Sequence, residues 1–471
     1  MVDFGFLEDW KPAPGRVVAW TAAPQSRDAM AAAPAHPVPP SYQQAEYLRT
    51  AHRTGGGAAR ASRLCMISFD IPAAPDVAAL GRAFTAFVRR HDTFHSSFRL
   101  DCEQVVRHVL DPALIELTAT DHGHFQDPAL LREFVAAGTP DARTWDCFGF
   151  GIIDRGSEFT VFAAVDHLHT DGVGQALTCV DLITRYGSEL APAPIPAPPV
   201  DGHIAYCARE RAANAALTAT SPAVATWLEL LGAHGGTMPT FALPLGTADH
   251  DGFAEGAQLT FPLLTGADAA RFDEVCATHG GRFLGGLFAA LALTEFECTG
   301  AERYFVLTPV NTRDGDREAA AIGWYTNLAP VAVDVTAADS FATLVGPAQD
   351  AADRAREFTE VSPHRVVELA GPEHGLRVRP GWAAMMLSYV DVRRIDGVEM
   401  FDRINGGLFG NRAAADQVYL WVNRFPDVVT LSCVFPDTAT AHASVERYVK
   451  TLTAIVGAVA AEGDRAAVVS P

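Results

Sequence analysis

The chain has 471 residues, 49% of them hydrophobic, enough to build two cores instead of one. Its formal net charge of -20 argues against a nucleic-acid partner, because phosphate binding needs clustered cations. No run of about 18 apolar residues reads as a membrane span. The first ten residues, with Asp3, Glu8 and Asp9, lack a basic-then-apolar export signal, so the expected location is cytoplasmic.

In chain order, Arg16 to Trp20 reads as a short strand after a Pro- and Ala-rich opening. Pro37 to Pro40 leads to Ser41, whose hydroxyl ahead of Gln44 and Glu46 predicts a helix start. Leu64 to Asp70 reads as a strand. Residues 75 to 91 read as an amphipathic helix with Val77, Leu80, Phe84 and Phe87 or Val88 on its apolar face. Residues 158 to 165 form a second apolar strand, which runs directly into Asp166 and His167. After Gly172 the period becomes helical, and Val173, Ala176, Leu177, Val180 and Ile183 are the expected buried face.

Ala191 to Val200 carries five prolines in ten residues and reads as a semi-rigid spacer. It divides the chain into an N-terminal lobe, 1–195, and a C-terminal lobe, 196–471. In the second lobe, strands are expected at 303–311, 384–392, 417–424 and 428–435, and helices near 267–279, 283–297 and 441–461. The last helix puts Val445, Tyr448, Val449, Leu452, Ile455 and Val459 on one stripe.

Eight cysteines (Cys65, Cys102, Cys147, Cys179, Cys207, Cys276, Cys298 and Cys433) lie without a Cys-x-x-Cys pair, which fits reduced, core-filling thiols. Cys179 falls on the apolar face of the helix after Gly172 and reads as packing. Arg49, Arg53, Arg60 and Arg63 crowd one stretch. Arg365, Arg377, Arg379, Arg393, Arg394, Arg403, Arg412 and Arg424 crowd another, and either could receive an acidic carrier or a phosphate-bearing arm. The alternative is that these arginines are scattered and solvated.

The chemistry is concentrated in Val165-Asp166-His167-Leu168-His169-Thr170-Asp171-Gly172. A histidine at a strand end, ahead of a helix N-terminus, can remove a proton near pH 7 from an alcohol or amine. Backbone N–H groups of the helix start lie close by to meet developing negative charge. His167-x-His169-x-Asp171 also matches part of a zinc-ligand pattern, but Gly172 stands where the third ligand is needed, so no metal is expected. No Gly-x-Ser-x-Gly elbow occurs to mark a serine nucleophile. His91 and His95, at a helix end, read as cap or core-rim residues.

This motif resembles the His-His-x-x-x-Asp-Gly signature of the condensation-domain superfamily, which includes chloramphenicol acetyltransferase and the polyketide-associated protein acyltransferases. The first histidine of the signature is Asp166 here. Further stretches are similar in the same order: Arg90 to Phe98, Val310 to Arg313, Ile322 to Asn327, Met386 to Asp391, and Gly406 to Arg412 with Asp416 to Arg424. The likeness spans roughly residues 40 to 460, and the polyketide-associated type is the nearest.

The resemblance implies two chloramphenicol-acetyltransferase-like α/β lobes in a V-shaped pseudo-dimer, with the active-site channel between them, and floor-loop and crossing segments in the C-terminal lobe. It implies His167 as general base, Asp171 as a structural residue paired with an arginine (Arg313 is the candidate), and Gly172 as a close-turn residue. Ser388, Asp166, His169 and Asn327 become candidates for oxyanion contact or channel lining. The implied donor is an acyl carrier protein or acyl-CoA thioester, and the acceptor a small-molecule alcohol or amine. No cofactor is implied, and a monomer is expected. Ester formation leads; an amide-forming condensation enzyme and a catalytically inactive recruitment module are the alternatives.

Overall fold

The computed structural model describes residues 3–54, 63–101, 104–193, 195–196, 199–248, 252–395 and 398–468. Arg60 and Cys102 lie outside the described residues. In chain order the strands are β1 (Asp3–Phe6), β2 (Gly15–Ala22), β3 (Leu64–Ile71), β4 (Ser96–Asp101), β5 (Gln104–Val109), β6 (Leu117–Phe125), β7 (Phe148–Asp154), β8 (Phe159–Asp166), β9 (Ala254–Thr265), β10 (Arg303–Asn311), β11 (Thr326–Asp334), β12 (Met386–Asp391), β13 (Gly407–Gly410), β14 (Ala414–Ala415), β15 (Tyr419–Arg424) and β16 (Val428–Pro436).

Two compact units form. The first comprises 1–215, 312–326 and 397–413; the second comprises 216–311, 327–396 and 414–471. The first unit therefore runs on past the proline segment and takes back two later pieces. The crossing segment Gly406–Arg412, expected in the C-terminal lobe, belongs to the first unit because Gly407–Gly410 forms a strand of its sheet.

That sheet has the order β1-β13-β3-β8-β7-β2-β6. Its central strands are buried on both faces, so they read as unbroken apolar runs. Along β8 the side chains alternate: Val161, Ala163 and Val165 enter one core, and Phe162 and Ala164 the other. Leu80, Phe84, Phe87 and Val88 of the helix Val77–Arg90 cover the first face, with Cys179, Leu182 and Tyr186 of the helix Gly172–Leu190. Leu131 and Val135 of the helix Pro128–Gly138, with Trp10, cover the second.

Two expected faces hold in part: Leu80, Phe84, Phe87 and Val88 are buried, and Ala176, Leu177 and Ile183 pack against the core, but three valines do not. Val77 is 39% exposed, because it is the first residue after the Asp76 cap and lies off the stripe. Val173 and Val180 are each 45% exposed. The helix Gly172–Leu190 instead approaches the sheet on the smaller residues Gly174, Thr178 and Cys179, continued by Leu182 and Tyr186.

The second unit carries the sheet β11-β10-β12-β15-β16-β9-β14. The parallel run β10-β12-β15 passes into antiparallel β16 and β9. Its core includes the helix Phe283–Thr299, almost wholly buried, and the helix Ala439–Glu462, whose expected stripe from Val445 to Val459 is buried throughout. Among the described residues no helix is long and apolar enough to cross a membrane.

Candidate active site

The site is built at the end of β8. Its partner β3 brings Leu64 opposite Asp166, and the His167 amide donates to the Arg63 carbonyl at 2.7 Å. The chain then turns through one 3-10 turn, His167–His169. Asp166 caps it, accepting from the Leu168 amide at 2.9 Å. Gln44 holds the same turn from outside, donating to the Leu168 carbonyl at 2.8 Å. Gln44 is itself set by Ser41, with a reciprocal pair of capping bonds at 3.1 and 3.2 Å at the start of the helix Tyr42–Thr54.

Asp166 has a second partner. Tyr47 donates to its Oδ1 at 3.0 Å and accepts from the Arg63 amide at 2.6 Å. Its carboxylate therefore ties the two strand ends together. That is a local structural task, distinct from the oxyanion contact or channel lining considered for it.

The His167 ring is half-buried and packs on Trp324, with ring centroids 4.3 Å apart and planes at 50°. Its Nδ1 is buried and reaches no other residue; only its own backbone lies in range. Burial, with the nearby Arg63 cation adding to it, pushes the imidazole down to about 4. At neutral pH the ring is uncharged.

His169 departs from the expectation of a shared face with His167. Because the segment is a 3-10 turn and not an extended loop, His169 turns into the core. Its Nδ1 lies 3.0 Å from the Thr93 hydroxyl and its ring packs on Phe94. It is fully buried, and burial pushes it down to about 3.

Asp171 caps the helix Gly172–Leu190, accepting from the Gly174 amide at 2.7 Å. Arg313 meets both its oxygens, at 2.9 and 3.0 Å, and both side chains are 3% exposed. The Tyr325 amide and the Thr326 hydroxyl add contacts at 2.9 and 3.3 Å. The structure thus brings Asp171 and Arg313 together. Gly172 opens the helix, and a Cβ there would meet nothing within 4 Å.

Ser388 and Asn327 lie in the second unit. Ser388 is on β12, opposite Trp421. Asn327 does not fit an oxyanion donor: its amide nitrogen donates to the carbonyls of Phe358, Thr359 and Val361, at 3.0 to 3.2 Å.

Many of the crowded arginines are matched locally by acids. Arg49 and Arg53 meet Glu46, Arg365 meets Glu368, Arg379 meets Asp416, Arg393 and Arg394 share Asp391, and Arg424 meets Asp273. His91 is buried against Asp181, and His95 caps a helix end through the Val88 and Arg89 carbonyls. The sequence assigns Gln44 only to a helix start, and gives no role to Tyr47 or Trp324. Trp324 lay inside a segment quoted for its family likeness, and nothing in its spacing pointed to His167.

This fold and this strand-end motif define a condensation-type acyltransferase. The chain belongs to the condensation-domain family, whose profile matches residues 65–374. It resembles the trehalose-2-sulfate acyltransferase PapA2 of Mycobacterium tuberculosis, at 36% identity over 95% of each chain. It is 33% identical to the 2'-acyl-2-O-sulfo-trehalose (hydroxy)phthioceranyltransferase PapA1 of the same organism, over 96% of this chain and 88% of that one. Among solved structures, a PapA2 acyl transferase superposes with a TM-score of 0.90 at 35% identity, covering 97% of this chain and 99% of that one. The first condensation domain of the calcium-dependent antibiotic synthetase shares the fold, with a TM-score of 0.67 at 16% identity, covering 93% of this chain and 98% of that one.

Proposed function

We propose that this acyltransferase forms an ester, moving an acyl group from a carrier-protein or CoA thioester to a hydroxyl of a sugar-based lipid precursor, with His167 as general base. The observation that carries this reading is the His167 ring, held at a capped strand end ahead of the helix Gly172–Leu190, with Nδ1 enclosed by protein. With Nδ1 enclosed by protein, Nε2 is the ring nitrogen left to accept a proton. The hydroxyl proton passes to Nε2 as the oxygen attacks the thioester carbonyl. When the tetrahedral intermediate collapses, the C–S bond breaks and the imidazolium returns the proton to the departing thiolate. Burial lowers the imidazolium's pKa, which helps this second transfer and makes the first one harder. The names of PapA2 and PapA1 support a sulfated trehalose as the acceptor class.

The test follows thiol release from palmitoyl-CoA and from a palmitoyl carrier protein, with trehalose-2-sulfate or a simple amine as acceptor. Release that needs the sugar is expected, and His167→Ala should slow it by about 10²–10⁴. Equal release by both proteins would remove His167 from the chemistry and favour a recruitment role. Release that needs the amine, giving a product stable to mild base, would replace the ester reading with amide formation.

A further inference from the structure

A positioned base needs its ring held in one direction. In many sites a carboxylate or carbonyl on another residue does this through the second ring nitrogen. Here that nitrogen, Nδ1 of His167, finds no other residue. The close neighbour of the ring is the Trp324 indole, 6% exposed and 4.3 Å away between centroids.

Trp324 is itself held firmly. The peptide between Trp324 and Tyr325 is gripped at both polar atoms. Its carbonyl lies 3.1 Å from Nε2 of His203, and its N–H donates to Asp171 Oδ2 at 2.9 Å. Gly323, just before, packs so closely that an added Cβ would fall 2.5 Å from the His203 ring. The indole also meets the Tyr47 ring edge-on, at 5.4 Å and 78°. Tyr47 bonds Asp166, the residue before His167. Trp324, Tyr47, Asp166 and His167 thus close a ring of contacts around the base.

We propose that Trp324 is the positioning residue of His167: the indole face, held by Asp171 and His203 through one peptide group, sets the direction of the catalytic imidazole. The proposal rests on His167 being the base. It gives Asp171 a task beyond its pair with Arg313, because that carboxylate also fixes the peptide that carries the indole.

Three variants and one structure test it. With palmitoyl-CoA and trehalose-2-sulfate, Trp324→Leu should lower kcat by about 10- to 100-fold, the range for a misplaced reacting group, with KM little changed. Trp324→Phe, which keeps an aromatic face, should restore much of the loss. His203→Phe, which removes the donor to the Trp324 carbonyl, should lower kcat in the same sense and carries the kinetic test if Trp324→Leu does not fold. A crystal structure of Trp324→Leu, or of His203→Phe in its place, should show the His167 ring turned or split between orientations. Full kcat in Trp324→Leu, a loss confined to KM, no rescue by phenylalanine, or an unmoved ring would overturn the proposal. His167→Ala run alongside separates the two ideas. If that variant is inactive while Trp324→Leu is not, positioning by the indole fails and the base stands. If His167→Ala is fully active, the base assignment has failed, and the ring orientation alone then decides whether Trp324 holds His167.

Discussion

Arg313 and Asp171 form a two-point ion pair inside the first unit, with each side chain only 3% exposed. Arg313 also lies over the Tyr325 ring at 4.6 Å and donates to the Ala321 carbonyl. Removing one member leaves the other charge buried without its counterion, which costs about 3–5 kcal/mol. Arg313→Ala and Asp171→Ala should therefore each lower stability by that order in urea unfolding. Arg313→Lys should recover little, because an ammonium cannot make the two parallel contacts. A stability within 1 kcal/mol of wild type for Arg313→Ala would count against this pair as a structural anchor.

The two glycines that open the next helix should behave oppositely. A Cβ on Gly172 meets nothing within 4 Å, whereas on Gly174 it would sit 2.8 Å from Thr170 Oγ1 and 3.2 Å from Asp171 Oδ1. Gly174→Ala should cost about 1–3 kcal/mol by overpacking. Gly172→Ala should be neutral or stabilising by about 0.4–1 kcal/mol. Thermal melts of the two variants decide this. If Gly172→Ala melts normally but is inactive, the missing Cβ is needed by the substrate and not by the fold.

Acid should destabilise the protein through its buried histidines. Both His167, at about 4, and His169, at about 3, lie below the ordinary value of 6.5. The unfolded chain then binds protons that the folded one refuses, so stability is complete above about pH 6.5 and is lost as pH falls towards 3. His91 and His95, which burial also lowers, add to the same slope. Urea unfolding measured from pH 7 to pH 4 should show this slope, and His169→Gln should flatten it. The same shift at His167 predicts that kcat/KM stays flat down to about pH 5. An acid limb centred near 6.5 would show that the ring titrates as if in water.

Asn327 is expected to matter for stability and not for turnover. Its amide nitrogen holds three carbonyls between Phe358 and Val361, so Asn327→Ala leaves buried acceptors unmet, at about 1–3 kcal/mol. A lowered melting temperature with unchanged kcat at a permissive temperature is the expected pair of results. A large loss of kcat in a well-folded variant would return Asn327 to the chemistry.

Much of the architecture was legible because it rests on local periodicity. The apolar runs of β3 and β8, the helix Val77–Arg90 and the stripe from Val445 to Val459 announce themselves within a few turns of chain. The polar cap at Ser41 and Gln44 was equally plain. Helix faces were read less well. Valines at 77, 173 and 180 looked core-facing by spacing, but a helix can approach its sheet on glycine, threonine and cysteine, where close contact replaces bulk. The edge strand β6 was invisible, since most of its residues from Leu117 to Phe125 are exposed and carry no alternation. At the site, His167 and Asp171 stood out because their chemistry is rare at such a junction. Trp324 and Tyr47 did not, because an aromatic residue looks the same in sequence whether it fills a core or leans on a reactive ring.

Strand β13 has a consequence for how the molecule is made. Gly407 lies beside Asp3, and Leu408 beside Ile67, so the sheet that bears His167 is completed by residues translated long after its other strands. Until the ribosome releases them, β1 has no partner strand in this sheet and one edge of β3 is bare, open to pairing with other nascent chains. The ladder joins Asp3 to Gly407 across most of the sequence described, so its closure should be a slow, late event. A fragment stopped at the proline segment would emerge with that seam unfilled, and shielding by chaperones would matter most in the interval before residue 410 appears.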